Sequence, residues 1–209
     1  MTDALPLALF FDAETSGIPL FDKPSDDPRQ PHIVELAGIL ATREGIVDRF
    51  YRKVAVDGWT IAPDAARAHG ITTEIALADP DRTPEAEAIV SFIAFWKRAD
   101  LRVAHNESFD SRIIRIGCKR FMPHMADEWK AGKARCTANL SEPLCKLPPT
   151  EKMIAAGRGH QFKRPKLEEA YRALVGSEIP RIDGIHGAMV DAEACWAIYR
   201  KIWERSTAA

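Results

Sequence analysis

The chain's strongest constraint is an apolar run, Leu5 to Glu14, that closes on two acids two positions apart, Asp12 and Glu14, in the segment FFDAETSG. A run of that length with Phe10 and Phe11 near its centre reads as a buried strand. Side chains alternate across a strand, so Asp12 and Glu14 share one face with Phe10. A buried face gains nothing from two carboxylates unless something compensates their charge. Taken alone, the pair also reads as turn acids ahead of Thr15-Ser16-Gly17.

Two further segments repeat the problem. In VAHNESFDSRII, Asp110 lies just inside a helix expected over Phe109–Phe121. At about 100° per residue it falls on one stripe with Ile114, Gly117 and Phe121, the apolar face. Arg112, Arg115 and Lys119 fall on the other face and read as solvated charges. In IHGAMVDAEA, Asp191 opens a helix expected over Gly187–Arg205 and lines up with Cys195, Ile198 and Ile202. His186 precedes that helix in a Gly-flanked loop, five positions before Asp191. Four acids meeting at one point repel one another unless divalent cations neutralise them. Two such ions about 4 Å apart are a known arrangement for phosphodiester hydrolysis.

The rest of the chain supplies a scaffold for such a meeting. Strands are expected at Ile33–Thr42, Ile46–Val56 and Leu101–Ala104. Pro63–His69 is a short helix stopped by Gly70. Thr83 and Pro84 open a helix as N-cap and first residue, and Ile89, Phe92, Ile93 and Trp96 give it a buried face. Helices are expected again at Thr137–Lys146 and Pro165–Leu174, with Pro148–Arg164 between them as a basic loop. His105-Asn106 orders the turn before the middle helix and caps it. Strands first and helices alternating later indicate an α/β chain with a mixed central sheet flanked by helices.

The three acid-bearing blocks, in this order, resemble the three exonuclease motifs of the DEDD superfamily of 3′→5′ exonucleases, and the His186–Asp191 spacing resembles its histidine-containing branch (DEDDh). The proofreading epsilon subunit of bacterial DNA polymerase III and RNase T belong to that branch. The likeness runs from about residue 5 to about residue 203. Ala13 stands where relatives often carry Thr, Leu or Ile, on the side of the strand away from the acids.

The resemblance implies a ribonuclease-H-like fold in a single exonuclease domain over residues 1–209. It implies that Asp12, Glu14, Asp110 and Asp191 hold two divalent cations, Mg²⁺ or Mn²⁺, with Asp12 between them, and that His186 is the general base. Glu14, Thr15, His69 and Phe109 are implied at the terminal nucleotide, Phe109 equally readable as core. The implied activity is metal-dependent release of nucleoside 5′-monophosphates from single-stranded or frayed 3′ ends, of DNA foremost. RNA trimming, or a silent nucleic-acid-binding module, are the alternatives.

Composition bounds the rest. The 209 residues suffice for one well-filled core, and 46% are hydrophobic. The net charge of −1 lacks the basic excess usual in nucleic-acid binders, which an enzyme gripping only a strand end through metal ions can do without. No apolar run reaches the ~18 residues of a membrane span, and the start of the chain has no basic leader. Cys118, Cys136, Cys145 and Cys195 show no C-x-x-C spacing and are expected as reduced core residues. A cytoplasmic protein follows. The chain runs only briefly past its last helix, so a DNA polymerase partner is expected less than in the best-known relative.

Overall fold

Among the described residues five strands, β1 (Ala8–Thr15), β2 (Ile33–Ala41), β3 (Ile46–Lys53), β4 (Leu101–Ala104) and β5 (Ala134–Cys136), form one mixed sheet in the order β3-β2-β1-β4-β5. The first three are antiparallel neighbours; β4 and β5 add in parallel. The computed structural model describes residues 6–181 and 184–207. The helices are α1 (Pro63–His69), α2 (Thr73–Ala78), α3 (Glu85–Trp96), α4 (Glu107–Phe121), α5 (Ala126–Ala131), α6 (Thr137–Cys145), α7 (Glu151–Ala155), α8 (Leu167–Val175) and α9 (Ala188–Thr207). This is the expected α/β, ribonuclease-H-like arrangement.

β1 is the central strand, and its alternation sorts the two layers. Leu9, Phe11 and Ala13 point to a core shared with α3 and α4, where Phe92 and Trp129 pack on Phe11. Ala8 and Phe10 point the other way, onto Cys195 and Tyr199 of α9. Asp12 and Glu14 continue that second face, and Ala13 turns away from them as expected. α3 and α4 cross closely because Gly117 has no side chain: a Cβ there would lie 2.4 Å from Ile89 Cδ1.

Several boundaries move. The expected start of β1 at Leu5 lies outside the described residues. α3 begins at Glu85 with Pro84 as its cap, one residue later than expected, because Thr83 is bonded into the sheet edge. Its N–H donates to Lys53 O at 2.8 Å and its carbonyl accepts from Ala55 N at 2.9 Å. α4 starts two residues early, at Glu107. Asn106 precedes it in the left-handed region with φ 67° and makes no side-chain cap. Its Oδ1 instead accepts from Arg164 Nη2 at 2.8 Å. The loop expected over 148–164 contains α7, capped by Thr150, whose Oγ1 accepts from Met153 N at 3.3 Å.

The basic face of α4 is also not simply solvated. Arg112 donates to the carbonyls of Leu20 and Lys23, fastening the loop after β1, and Arg115 pairs with Asp127 at 3.5 Å. Phe121, expected on the inward stripe, is 39% exposed at the helix end. All four cysteines are free; Cys118 and Cys195 are buried, Cys136 and Cys145 only half-buried. Among the described residues no helix is long and apolar enough to cross a membrane.

Candidate active site

Asp12 and Glu14 sit at the open end of β1, opposite Ala37 and Glu35 of β2. The pairing then slips by one residue, with Thr15 opposite Ile33, and such bulges re-aim side chains at strand ends. Asp110 reaches the same place from the first turn of α4. It is 3% exposed, and its Oδ1 accepts the Ala13 N–H at 3.3 Å, which locks helix to strand.

Asp191 arrives from the first turn of α9 and is 5% exposed. The helix can lie close to the sheet because its contact residues are small: Ala188 and Ala192 meet Ala37, all fully buried. Cys195 and Ile198 continue the buried stripe as expected.

His186 is held at both ends of its residue. Its backbone N–H donates to Ala68 O at 3.1 Å, and Nδ1 lies 3.1 Å from Asp191 Oδ2. An ionised carboxylate only accepts, so Nδ1 carries the proton and Nε2 keeps its lone pair. The loop rests on α1 at Gly70, which has φ 73°; a Cβ there would sit 3.1 Å from Ile185. The positive φ favours glycine at Gly70, and a Cβ would also press on the Ile185 side chain.

These five residues border one open cleft of about 610 Å³, together with His105, Phe109, Lys166 and Glu168. Glu14, His186 and Asp191 each offer a ligand atom within 4.8 Å of the others. A second hollow of about 450 Å³, lined by Thr15, Gly17, Ile18 and His69, shares Glu14 and Phe109 as walls with the first. His69 is buried, and both ring nitrogens are engaged: Nδ1 accepts from Ile71 N and Nε2 donates to Thr15 O, each at 3.2 Å. Burial lowers its pKa, so the neutral ring is the resident form. Phe109 packs at the edge of the core and lies 6.5 Å from the exposed Phe21 ring. His105 orders its turn as expected, bonding Thr137 Oγ1 at 2.9 Å and Pro165 O at 3.1 Å.

The crowding has an electrostatic signature. Burial first, then Asp110, Asp191 and Glu14, hold the Asp12 carboxyl well above the usual range. Burial likewise raises Asp110. Glu14 is pushed from 4.5 up to about 7, by burial and then by Asp191. Glu14 Oε1 is buried without a hydrogen-bond partner, and Asp191 Oδ1 accepts no hydrogen bond. A buried carboxylate oxygen without a donor, set among other carboxylates as Glu14 Oε1 is, suits a hard divalent cation, whereas Asp191 Oδ1 already faces the Arg181 guanidinium at 2.6 Å.

A stability test follows from Glu14. Its folded pKa lies above the unfolded one, so its contribution is full below about pH 4.5 and lost as pH rises through about 7. A shift of that size is worth about 3 kcal/mol. In EDTA, Glu14→Gln and the wild type should melt together at about pH 4 or below, and the variant should melt higher at pH 8. Asp110→Asn should likewise raise the metal-free Tm at neutral pH. Mn²⁺ at ~100 times its Kd should add about 2.7 kcal/mol to the wild type and less to either variant. If both variants melt lower than the wild type in EDTA at pH 8, the acids are not in mutual strain.

Two residues at the site carry no sequence signal. Arg181, 7% exposed at its side chain, lies 2.6 Å from Asp191 Oδ1 and 2.9 Å from Glu168 Oε1. Glu168 Oε1 is in turn 3.7 Å from His186 Nε2. In the sequence one is a loop arginine and the other a first-turn helix acid, the commonest bland placements of both types.

The family model for Exonuclease (RNase T) matches residues 9–199. The chain belongs to the RNase T exonuclease family, within the DEDD superfamily. No curated protein matches this exonuclease-family chain in sequence. Among solved structures, a zinc-bound E. coli exonuclease I–single-stranded DNA complex is 16% identical with a TM-score of 0.69, covering 98% of this chain. Exonuclease I of Methylocaldum szegediense is 19% identical with a TM-score of 0.68, covering 97%. E. coli exonuclease I with a dT13 oligonucleotide is 18% identical with a TM-score of 0.71, covering 97%. The likeness is one of fold, and this exonuclease-family chain spans 42%, 41% and 42% of the length of those three chains.

Proposed function

We propose that this chain is a single-domain, metal-dependent 3′→5′ exonuclease of the histidine-containing branch, removing nucleoside 5′-monophosphates from single-stranded DNA ends. The observation that carries the reading is the buried acid cluster, with the donor-free Glu14 Oε1, at the floor of an open cleft. Asp12, Glu14, Asp110 and Asp191 would hold two divalent cations, Mg²⁺ or Mn²⁺. Bound there, they would clamp the scissile phosphate, acidify the attacking water and neutralise the departing 3′-oxygen.

The protein's own groups do the rest. Asp191 Oδ2 keeps His186 in the tautomer whose Nε2 accepts a proton, 3.1 Å from Nδ1. His186 takes the proton of the attacking water, and the imidazolium so formed faces both Asp191 and Glu168. The second hollow, beside Glu14, would take the terminal nucleotide, with Thr15, His69 and Phe109 as its walls. Lys166, at the cleft, and Arg164, beside it on Asn106, would meet the phosphates of the remaining strand. The choice of DNA rests on the fold likeness to structures determined with DNA oligonucleotides.

Matched DNA and RNA oligonucleotides, labelled at the 5′ end, test the reading. DNA should give a descending ladder in Mg²⁺ or Mn²⁺, none in EDTA, and a 3′-blocked end should resist. Cutting of a circular single strand at a comparable rate would exclude an exonuclease. Faster digestion of RNA would move the assignment to RNA trimming.

A further inference from the structure

Arg181 takes no part in the hydrolytic step, although it is a deeply placed cation at the site. Its side chain is 7% exposed, and its Nε is buried without a partner. A guanidinium cannot shed its charge, so burying one is costly unless acids surround it. Here Nη2 lies 2.6 Å from Asp191 Oδ1 and 2.9 Å from Glu168 Oε1. The Asp191 contact is an ion pair without hydrogen-bond alignment, since Oδ1 accepts no hydrogen bond. The other oxygen, Oδ2, faces His186. Both oxygens of Asp191 are therefore covered by groups from the short segment that leads into α9.

We propose that Arg181 is the resident counter-cation of the acid cluster, held on Asp191 and exchanged for a divalent cation when one binds there. The proposal rests on the metal reading of the site. A dication on Asp191 Oδ1 needs the space and charge that the guanidinium now fills. Once the ion is seated, the guanidinium meets like charge and is driven toward Glu168, its second partner. Arg181 is thus a positioning residue that sets metal affinity, and through Glu168 it links metal occupancy to the surroundings of His186 Nε2.

Mn²⁺ titration of the whole chain by calorimetry tests this without any turnover. Arg181→Gln should bind Mn²⁺ more tightly, on the order of tenfold, a typical coupling between competing ligands. Lys166→Gln removes one positive charge from the cleft without touching Asp191, and should tighten binding much less. In EDTA, Arg181→Gln should melt below the wild type, and Mn²⁺ should raise its Tm by more. Should Arg181→Gln not fold without metal, Arg181→Lys keeps the charge but loses the planar fork, and should also bind Mn²⁺ more tightly than the wild type. Unchanged or weaker Mn²⁺ binding in the Arg181 variants overturns the proposal, as does a gain no larger than that of Lys166→Gln. A wild type that binds no Mn²⁺ overturns the metal reading itself, and this inference with it.

Discussion

Asp12→Ala should cut the hydrolytic rate by orders of magnitude, at least about 10²-fold, the scale on which single charge-stabilising groups act in hydrolases, while the protein stays folded. Asp12 is the acid that feels all three others: Asp110, Asp191 and Glu14 each raise its pKa on top of burial. A position central to four carboxylates is where a shared cation gains most. The same crowding makes the second half of the expectation unusual. Removing a half-buried carboxyl ordinarily destabilises a little, but here it relieves repulsion, so the metal-free variant should melt no lower than the wild type at neutral pH. Asp191→Ala should lose as much activity, because it removes a cation ligand and frees the His186 ring together. Rates in Mn²⁺ and melting curves in EDTA measure the two halves. Near-normal hydrolysis by Asp12→Ala would end the two-metal reading.

His186→Ala should cost about 10²–10⁴-fold in rate, the usual range for a general base. The wild-type kcat should climb with pH, because only the neutral ring accepts a proton. Its hydrogen bond to Asp191 raises the pKa of His186 in the metal-free protein against the opposing effect of burial; cations on Asp191 and Glu14 oppose that rise, so the kcat limb should fall at roughly 6–8, around the ~6.5 of a free imidazole. The variant should lose that limb of the profile. The raised pKa has a stability counterpart of the same sign: the His186–Asp191 contribution is full below ~6.5 and is lost as pH rises through the folded value. Mn²⁺ affinity separates a base from a ligand. The ring offers a nitrogen within 4.8 Å of ligand atoms on Glu14 and Asp191, close enough for either role. Retained Mn²⁺ binding in His186→Ala fits the base, and lost binding would make the histidine a ligand.

The parts of this protein that read directly from sequence are those governed by local period. Two-residue alternation puts Asp12 and Glu14 on the Phe10 face and Ala13 on the other, and the sheet keeps that sorting. Helical period places Asp110 with Ile114, and Asp191 with Cys195 and Ile198, on buried stripes. Periodicity fades where an element is too short to show it. β5 has three residues and α7 five, and neither stands out from its flanks. Thr83 looked like a cap because its type and its proline neighbour favour one, but two sheet-edge hydrogen bonds outweighed a single capping contact. Arg112 looked solvated because only its own helix was in view; its partners are carbonyls about ninety positions away.

Alternation and helical stripe are properties of neighbours along the chain, and they suffice to say which acids face inward. How those acids are compensated depends on packing between distant segments. Ala37 against Ala188 and Ala192 brings α9 close enough for Asp191 to reach Glu14 and His186, and a contact between methyl groups leaves no trace in any one segment. Arg181 and Glu168 enter for the same reason. An ion pair depends on distance in space, and the 2.6 Å between Arg181 and Asp191 is set by how a loop folds back onto a helix, which no spacing rule encodes.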